Sequence, residues 1–93
     1  MRGYHLDTED YLARLRKIEG QVRGLQRQVE NEVYCIDILT QISSVTAALE
    51  KVALGLVDQH LRHCVMDAMT EDPELGEKRL AEATRAVERL LRL

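Results

Sequence analysis

The chain has 93 residues, 45% hydrophobic and 31% charged, the balance of one small folded domain rather than a disordered segment. Three tyrosines and no tryptophan or phenylalanine leave an aliphatic core, and so short a chain buries little surface alone, so copies are expected to associate. A formal net charge of −3 argues against nucleic-acid binding through bulk charge but leaves room for a local basic face.

The start, Met1 to Thr8, lacks the apolar run of a signal peptide and is expected to be a flexible lead-in to a single domain spanning 1–93. No stretch approaches the roughly 18 apolar residues of a membrane span. Cys35 and Cys64 are too few for a disulfide framework. They read as reduced thiols of a cytoplasmic protein.

A first helix is predicted from Asp7 or Thr8, either of which can cap it, with Glu9 and Asp10 in the favourable first turn. Leu12, Leu15, Ile18, Val22, Leu25 and Val29 fall three or four apart, on one stripe. Gly20 and Gly24 weaken this helix by up to about 1 kcal/mol each relative to Ala and would permit close packing or close approach to a partner. Asn31-Glu32-Val33 is the predicted joint, with Asn31 as a cap. From there Ile36, Leu39, Ile42, Val45, Leu49, Val52 and Leu56 continue through Leu61 to Val65 without a proline. That pattern predicts one helix of roughly 35 residues, with Gly55 its only weak interior point. Glu71-Asp72-Pro73-Glu74 is the clearest break, Asp72 capping a third helix that starts at Pro73. Leu80, Ala83, Val87, Leu90 and Leu91 form its apolar side. Nothing shows the period of two that strands require, so the fold class is all-α: three helices with a long central one.

His60 and Cys64, four apart, share a helix face. Alone the pair is unspecific, since a lone His near a lone Cys is commonly an imidazole beside a buried thiol. Cys35 adds a length argument. It precedes His60 by 25 residues, which on a continuous helix separates them by nearly 40 Å at about 1.5 Å per residue. Two such helices paired antiparallel would bring Cys35 of one protomer to His60 and Cys64 of its partner, crossing near the small Ala47 and Ala48. A two-fold dimer would then hold two identical shared sites. Two thiolates and an imidazole are a soft donor set. Zn²⁺ usually wants a fourth ligand, whereas Cu(I) is satisfied by few. His63 points about 100° away from Cys64 on a helix and is the poorer donor. His5 reads as an exposed histidine of the N-terminus, with folding back as an extra ligand the alternative.

Between residues 14 and 27 stand Arg14, Arg16, Lys17, Arg23 and Arg27 against Glu19 alone. Arg16, Arg23 and Arg27 cluster nearly opposite the apolar stripe, and Arg14 and Lys17 flank it. This is either an ordinary solvated face or a surface for DNA phosphates. No recognition helix of a helix-turn-helix and no zinc-finger spacing is present, so DNA binding would use a composite surface of an oligomer.

Together these residues resemble the copper-sensing branch of the CsoR/RcnR family of all-helical, metal-responsive repressors. The resemblance runs from about Tyr11 to Leu91. It is carried by Arg14-Leu-Arg-Lys-Ile-Glu-Gly-Gln-Val-Arg-Gly24, by Tyr34-Cys35 and Ile36-Asp-Ile-Leu-Thr-Gln-Ile-Ser-Ser44, by Leu49-Glu50-Lys51 and by His60-Leu-Arg-His-Cys64. It implies a three-helix protomer, antiparallel dimers and a dimer of dimers. It implies that Cys35 binds Cu(I) with the partner's His60 and the partner's Cys64, and that Tyr34 and Glu82 hydrogen-bond around the metal-binding histidine. Arg14 and Lys51 match positions implicated in operator contact, Lys51 keeping the charge where relatives often have the bidentate Arg. Arg16, Lys17 and Arg23 are added on charge and position.

The implied function is a repressor that binds operator DNA without metal and is released by Cu(I), derepressing copper-resistance or efflux genes. Ligation would draw His60 towards the thiolates and pull on the Tyr34–Glu82 network. Nickel/cobalt sensors of the family have His where this chain has Cys64 and recruit an N-terminal His, so His5 leans that way. Formaldehyde sensors keep the first Cys and lack the last, and persulfide sensors place Cys where this chain has His60. Outside the family, the rivals are a cytosolic copper buffer or chaperone using the same ligands and a structural helical dimer. No nucleophile–base pair suggests an enzyme, and neither a membrane nor a small-molecule substrate is expected.

Overall fold

The computed structural model describes residues 8–91. The elements are α1 (Thr8–Glu30), α2 (Cys35–Gln59), a six-residue π-helical turn (His60–Val65), α3 (Met66–Glu71) and α4 (Pro73–Leu91). Gln59, Val65 and Met66, which border the π-turn, all keep right-handed helical backbone angles. The chain therefore stays helical from Cys35 to Glu71, and α2, the π-turn and α3 form the long central helix of a three-helix protomer. Gly55 does not break it. The expected uniform α-helix is corrected at one place, the π-turn, where Met66 N–H donates to the Leu61 carbonyl five residues back.

The joint after α1 is tighter than expected. Glu32 N–H donates to the Val29 carbonyl (3.2 Å) and Val33 N–H to the Gln28 carbonyl (3.0 Å). This pair of bonds is a Schellman motif. Asn31 occupies the C-cap, its own N–H bonded to Arg27 O at 2.9 Å, and Glu32 takes the left-handed turn, with φ of 54°. Left-handed backbone strains any residue with a Cβ. Glu32→Gly is expected to raise stability by about 0.5–1 kcal/mol, after Gly's extra freedom in the unfolded chain is counted. Urea unfolding measures it, and a lowered midpoint would mean the Glu32 side chain makes a compensating contact.

At the other break the sequence reading holds. Asp72 is extended, its N–H closing α3 on the Ala68 carbonyl at 2.7 Å. Its Oδ1 accepts from Leu75 N–H at 3.5 Å and its carbonyl from Gly76 N–H at 3.0 Å, with Pro73 opening α4.

The described residues divide into two compact units, one reaching to Ala53 and one starting at Leu54. In the first, Ile18, Val45 and Val52 are buried. In the second, the π-turn, α3 and α4 pack together, burying Cys64, Val65, Ala68, Gly76 and Ala83. Burial is otherwise sparse. Of the α1 stripe only Ile18 is buried, while Leu12, Leu15, Val22 and Val29 stay 38% to 63% exposed. Ile36, Leu39, Ile42 and Leu49 of α2 are similarly open. The stripe has the predicted spacing, but the protomer alone does not supply the surface that would cover it.

Within the protomer, the close packing expected of Gly20 and Gly24 falls elsewhere. A Cβ at Gly20 would meet nothing within 4 Å, and one at Gly24 only the Arg27 guanidinium at 3.9 Å. The close approach is at Gly76, whose missing Cβ lets α4 sit against Met69 of α3.

Candidate metal centre and nucleic-acid interface

Cys35 opens α2 and is exposed. Tyr34, one residue earlier, is 68% exposed, and its carbonyl accepts the first N–H groups of α2, from Asp37 and Ile38. Cys64, by contrast, is 2% exposed. Both thiols are free. His60 and Cys64 stand at the start and near the end of the π-turn, within one of its wide turns. Single π-turns inside α-helices are rare and recur at functional sites.

The His60 ring is held by a group on α4. Its Nε2 lies 3.3 Å from the Arg79 carbonyl oxygen. A carbonyl only accepts, so Nε2 is the donor in this contact, and in the neutral ring that leaves the lone pair on Nδ1. A metal-binding histidine is typically oriented in this way, its other ring nitrogen donating to a fixed acceptor. The Arg79 side chain meanwhile donates from Nη1 to both carboxylate oxygens of Glu82, at 3.0 and 3.3 Å, in a part-buried pair. Glu82 therefore lies one turn from the group that orients His60. Arg79 is a residue that sequence reasoning missed. Its pairing with Glu82 three residues on was readable, but the role of its backbone oxygen has no side-chain signature.

Among the described residues, no three His, Cys, Asp or Glu side chains of one chain gather as a metal site. His63 is partly buried, and His5 lies outside the described residues.

The basic residues fall into two groups. Arg14 and Lys17 of α1 and Lys51 of α2 line one groove of about 390 Å³, which Ala47 and Ala48 also border. Arg16 and Arg23 do not line it. Arg14 pairs with Asp10 at 3.2 Å and Arg23 with Glu19 at 2.9 Å, each pair more than half exposed. Such exposed i,i+4 pairs are worth about 0.3–0.5 kcal/mol, too little to withhold an arginine from a phosphate.

Residues 7–90 match the family described as metal-sensitive transcriptional repressors. The chain belongs to that family. Repressors of this kind bind rather than catalyse. The repressor is 52% identical over 90 residues to the copper-sensing transcriptional repressor RicR of Mycobacterium tuberculosis, covering 97% of this chain and 94% of that one. It is 54% identical over 69 residues to the copper-sensing transcriptional repressor CsoR of Bacillus subtilis, covering 74% and 66%. Its fold matches the crystal structure of the copper-sensing repressor CsoR with Cu(I) from Geobacillus thermodenitrificans, with a TM-score of 0.86 at 42% identity over 95% of this chain and 90% of that one. Among the described residues, no helix of the repressor is long and apolar enough to cross a membrane.

Proposed function

We propose that this repressor is a copper(I) sensor that binds operator DNA in its metal-free form and leaves it when Cu(I) binds. The observation that carries the reading is the donor set: two free thiols and an imidazole whose Nε2 is committed, so that Nδ1 is the available donor. Soft donors of this number suit Cu(I), and the copper-sensing relatives point the same way. Cys35 of one protomer and the partner's His60 and the partner's Cys64 would hold the ion. When bound, the ion supplies a fixed link between two protomers. The exposed apolar stripes of α1 and α2 provide the surface for an antiparallel dimer, and dimers would pair into a tetramer.

The signal runs through His60. As its imidazole engages through Nδ1, its Nε2–H bears on the Arg79 carbonyl and transmits the movement to α4. Glu82, held by Arg79, and Tyr34, exposed beside Cys35, are the hydrogen-bonding groups that complete the network around the ring. Arg14, Lys17 and Lys51 seat an operator phosphate in their groove, and Arg16 and Arg23 extend the positive surface along α1. Because the protein acts on DNA, its place is the cytoplasm. Coupling is reciprocal: if Cu(I) weakens DNA binding, DNA weakens Cu(I) binding by the same factor, typically about 5–150-fold.

His60→Ala separates capture from signalling. The variant is expected to keep most of its Cu(I) affinity through the two thiolates, yet to stay on operator DNA when Cu(I) is added. Cys35→Ala is expected to lose the affinity itself. Chelator competition and operator anisotropy on the same samples measure both, and equal loss of affinity in the two variants would contradict this division of labour.

A further inference from the structure

We infer that the Arg79 guanidinium is a positioning group of the copper switch: it competes with His60 for the Glu82 carboxylate and so sets how much Cu(I) is needed for release. The inference rests on the copper(I) reading above. Arg79 meets the switch twice. Its carbonyl oxygen lies 3.3 Å from His60 Nε2, and its Nη1 donates to both carboxylate oxygens of Glu82, at 3.0 and 3.3 Å. The imidazole is thus bonded to the main chain of Arg79, and the carboxylate to its side chain. At about 100° per residue, Glu82 stands about 60° round α4 from Arg79 and about 100° from Ala83. Ala83 is buried, so Arg79 lies between Glu82 and the packed face of the helix.

Stability does not account for the pair. Its side chains are 29% and 38% exposed, and an ion pair this accessible is worth little. The same guanidinium leaves its Nε enclosed, with no hydrogen-bond partner among the described residues, and that costs stability. What the pair controls is the acceptor offered to His60. A carboxylate accepts a hydrogen bond about twice as strongly as a neutral carbonyl, and a metal-binding histidine commonly donates to one. Once Nδ1 engages a cation, the ring is the stronger donor and the carboxylate the preferred acceptor. Arg79 then holds Glu82 against that demand. Substitution at Arg79 removes the guanidinium but keeps the main-chain carbonyl, so the two contacts can be separated.

The test compares full-length wild type, Arg79→Met, Arg79→Lys, Glu82→Gln and the Arg79→Met/Glu82→Gln double variant. Chelator competition measures Cu(I) affinity, and anaerobic anisotropy measures release from DNA upstream of the repressor's own gene. Arg79→Met is expected to bind Cu(I) about two- to fivefold more tightly, the scale of a partly exposed ion pair, and to leave DNA at correspondingly lower free Cu(I). Arg79→Lys, which keeps the charge but not the fork, should fall between Arg79→Met and wild type. In the Glu82→Gln background, Arg79→Met should add nothing, because Arg79 acts through that carboxylate. A merely structural pair predicts a lower urea midpoint and no gain in Cu(I) affinity. Unchanged or weaker Cu(I) binding in Arg79→Met would overturn the inference. So would an equal gain in the Glu82→Gln background. A wild type that Cu(I) does not release from this DNA would instead overturn the copper reading on which the inference rests.

Discussion

Heterodimers built from one Cys35→Ala protomer and one Cys64→Ala protomer are expected to bind Cu(I) tightly at a single site, although neither parent homodimer should. If, as proposed, each site takes Cys35 from one chain and Cys64 from the other, each parent lacks a thiolate in both of its sites. In the heterodimer, the Cys64→Ala chain still offers Cys35, and the Cys35→Ala chain still offers His60 and Cys64. One site is restored and the other is doubly broken. The parents should lose more than the roughly 10–100-fold that follows loss of an outer hydrogen-bonding partner of a metal ligand. Two affinity tags on co-expressed chains allow the heterodimer to be purified, and titration against a chromophoric Cu(I) chelator counts its sites. A heterodimer as weak as its parents would place the metal within one chain.

Gly76→Ala should destabilise the protein by about 1–3 kcal/mol, less the roughly 1 kcal/mol that Ala gains over Gly in a helix. The added methyl would lie 2.6 Å from Met69 Cγ and 2.7 Å from Sδ, atoms that can swing aside. It would also lie 2.8 Å from Met69 Cα, which cannot move unless α3 does. Gly76→Val, with more bulk and β-branching, should do worse. Gly20→Ala provides the contrast, since nothing lies within 4 Å of its Cβ position and only the helix-propensity gain remains. Urea midpoints at matched protein concentration compare the two, because association contributes to apparent stability. Opposite signs are expected. Equal stabilisation would show that α3 and α4 are not in tight contact at Gly76, and destabilisation at Gly20 would show that another copy packs on α1 there.

These glycines illustrate which parts of the fold are legible in a sequence. Helix content followed from apolar spacing, and the α3–α4 boundary from Asp72-Pro73, because capping and a fixed φ are local properties of those residues. A glycine inside a helix, however, does not reveal whether anything packs on it. Gly20 and Gly24 drew attention by lying one turn apart, while within the protomer the packed glycine is Gly76. At the first joint, Asn31 is the residue type that tolerates left-handed backbone, yet the hydrogen bonds to Gln28 and Val29 place that conformation at Glu32. The π-turn was hidden for a different reason. Over a single turn, His60 and Cys64 share a face in either helix type, so periodicity does not distinguish them.

The candidate site was legible to the same extent. Side chains with distinctive chemistry (Cys35, His60, Cys64 and the basic run of α1) could be found by type and spacing. The carbonyl of Arg79 could not, since every residue has one and only the approach of α4 to the π-turn singles it out.

The most direct test of a copper(I)-released repressor is anaerobic fluorescence anisotropy of the metal-free protein on DNA from upstream of its own gene. Cu(I), Ni²⁺, Co²⁺, Zn²⁺ and formaldehyde would be added separately. Tight binding without metal, and release by stoichiometric Cu(I) alone, is the result predicted. Release by Ni²⁺ or Co²⁺ while Cu(I) leaves the complex intact would contradict it.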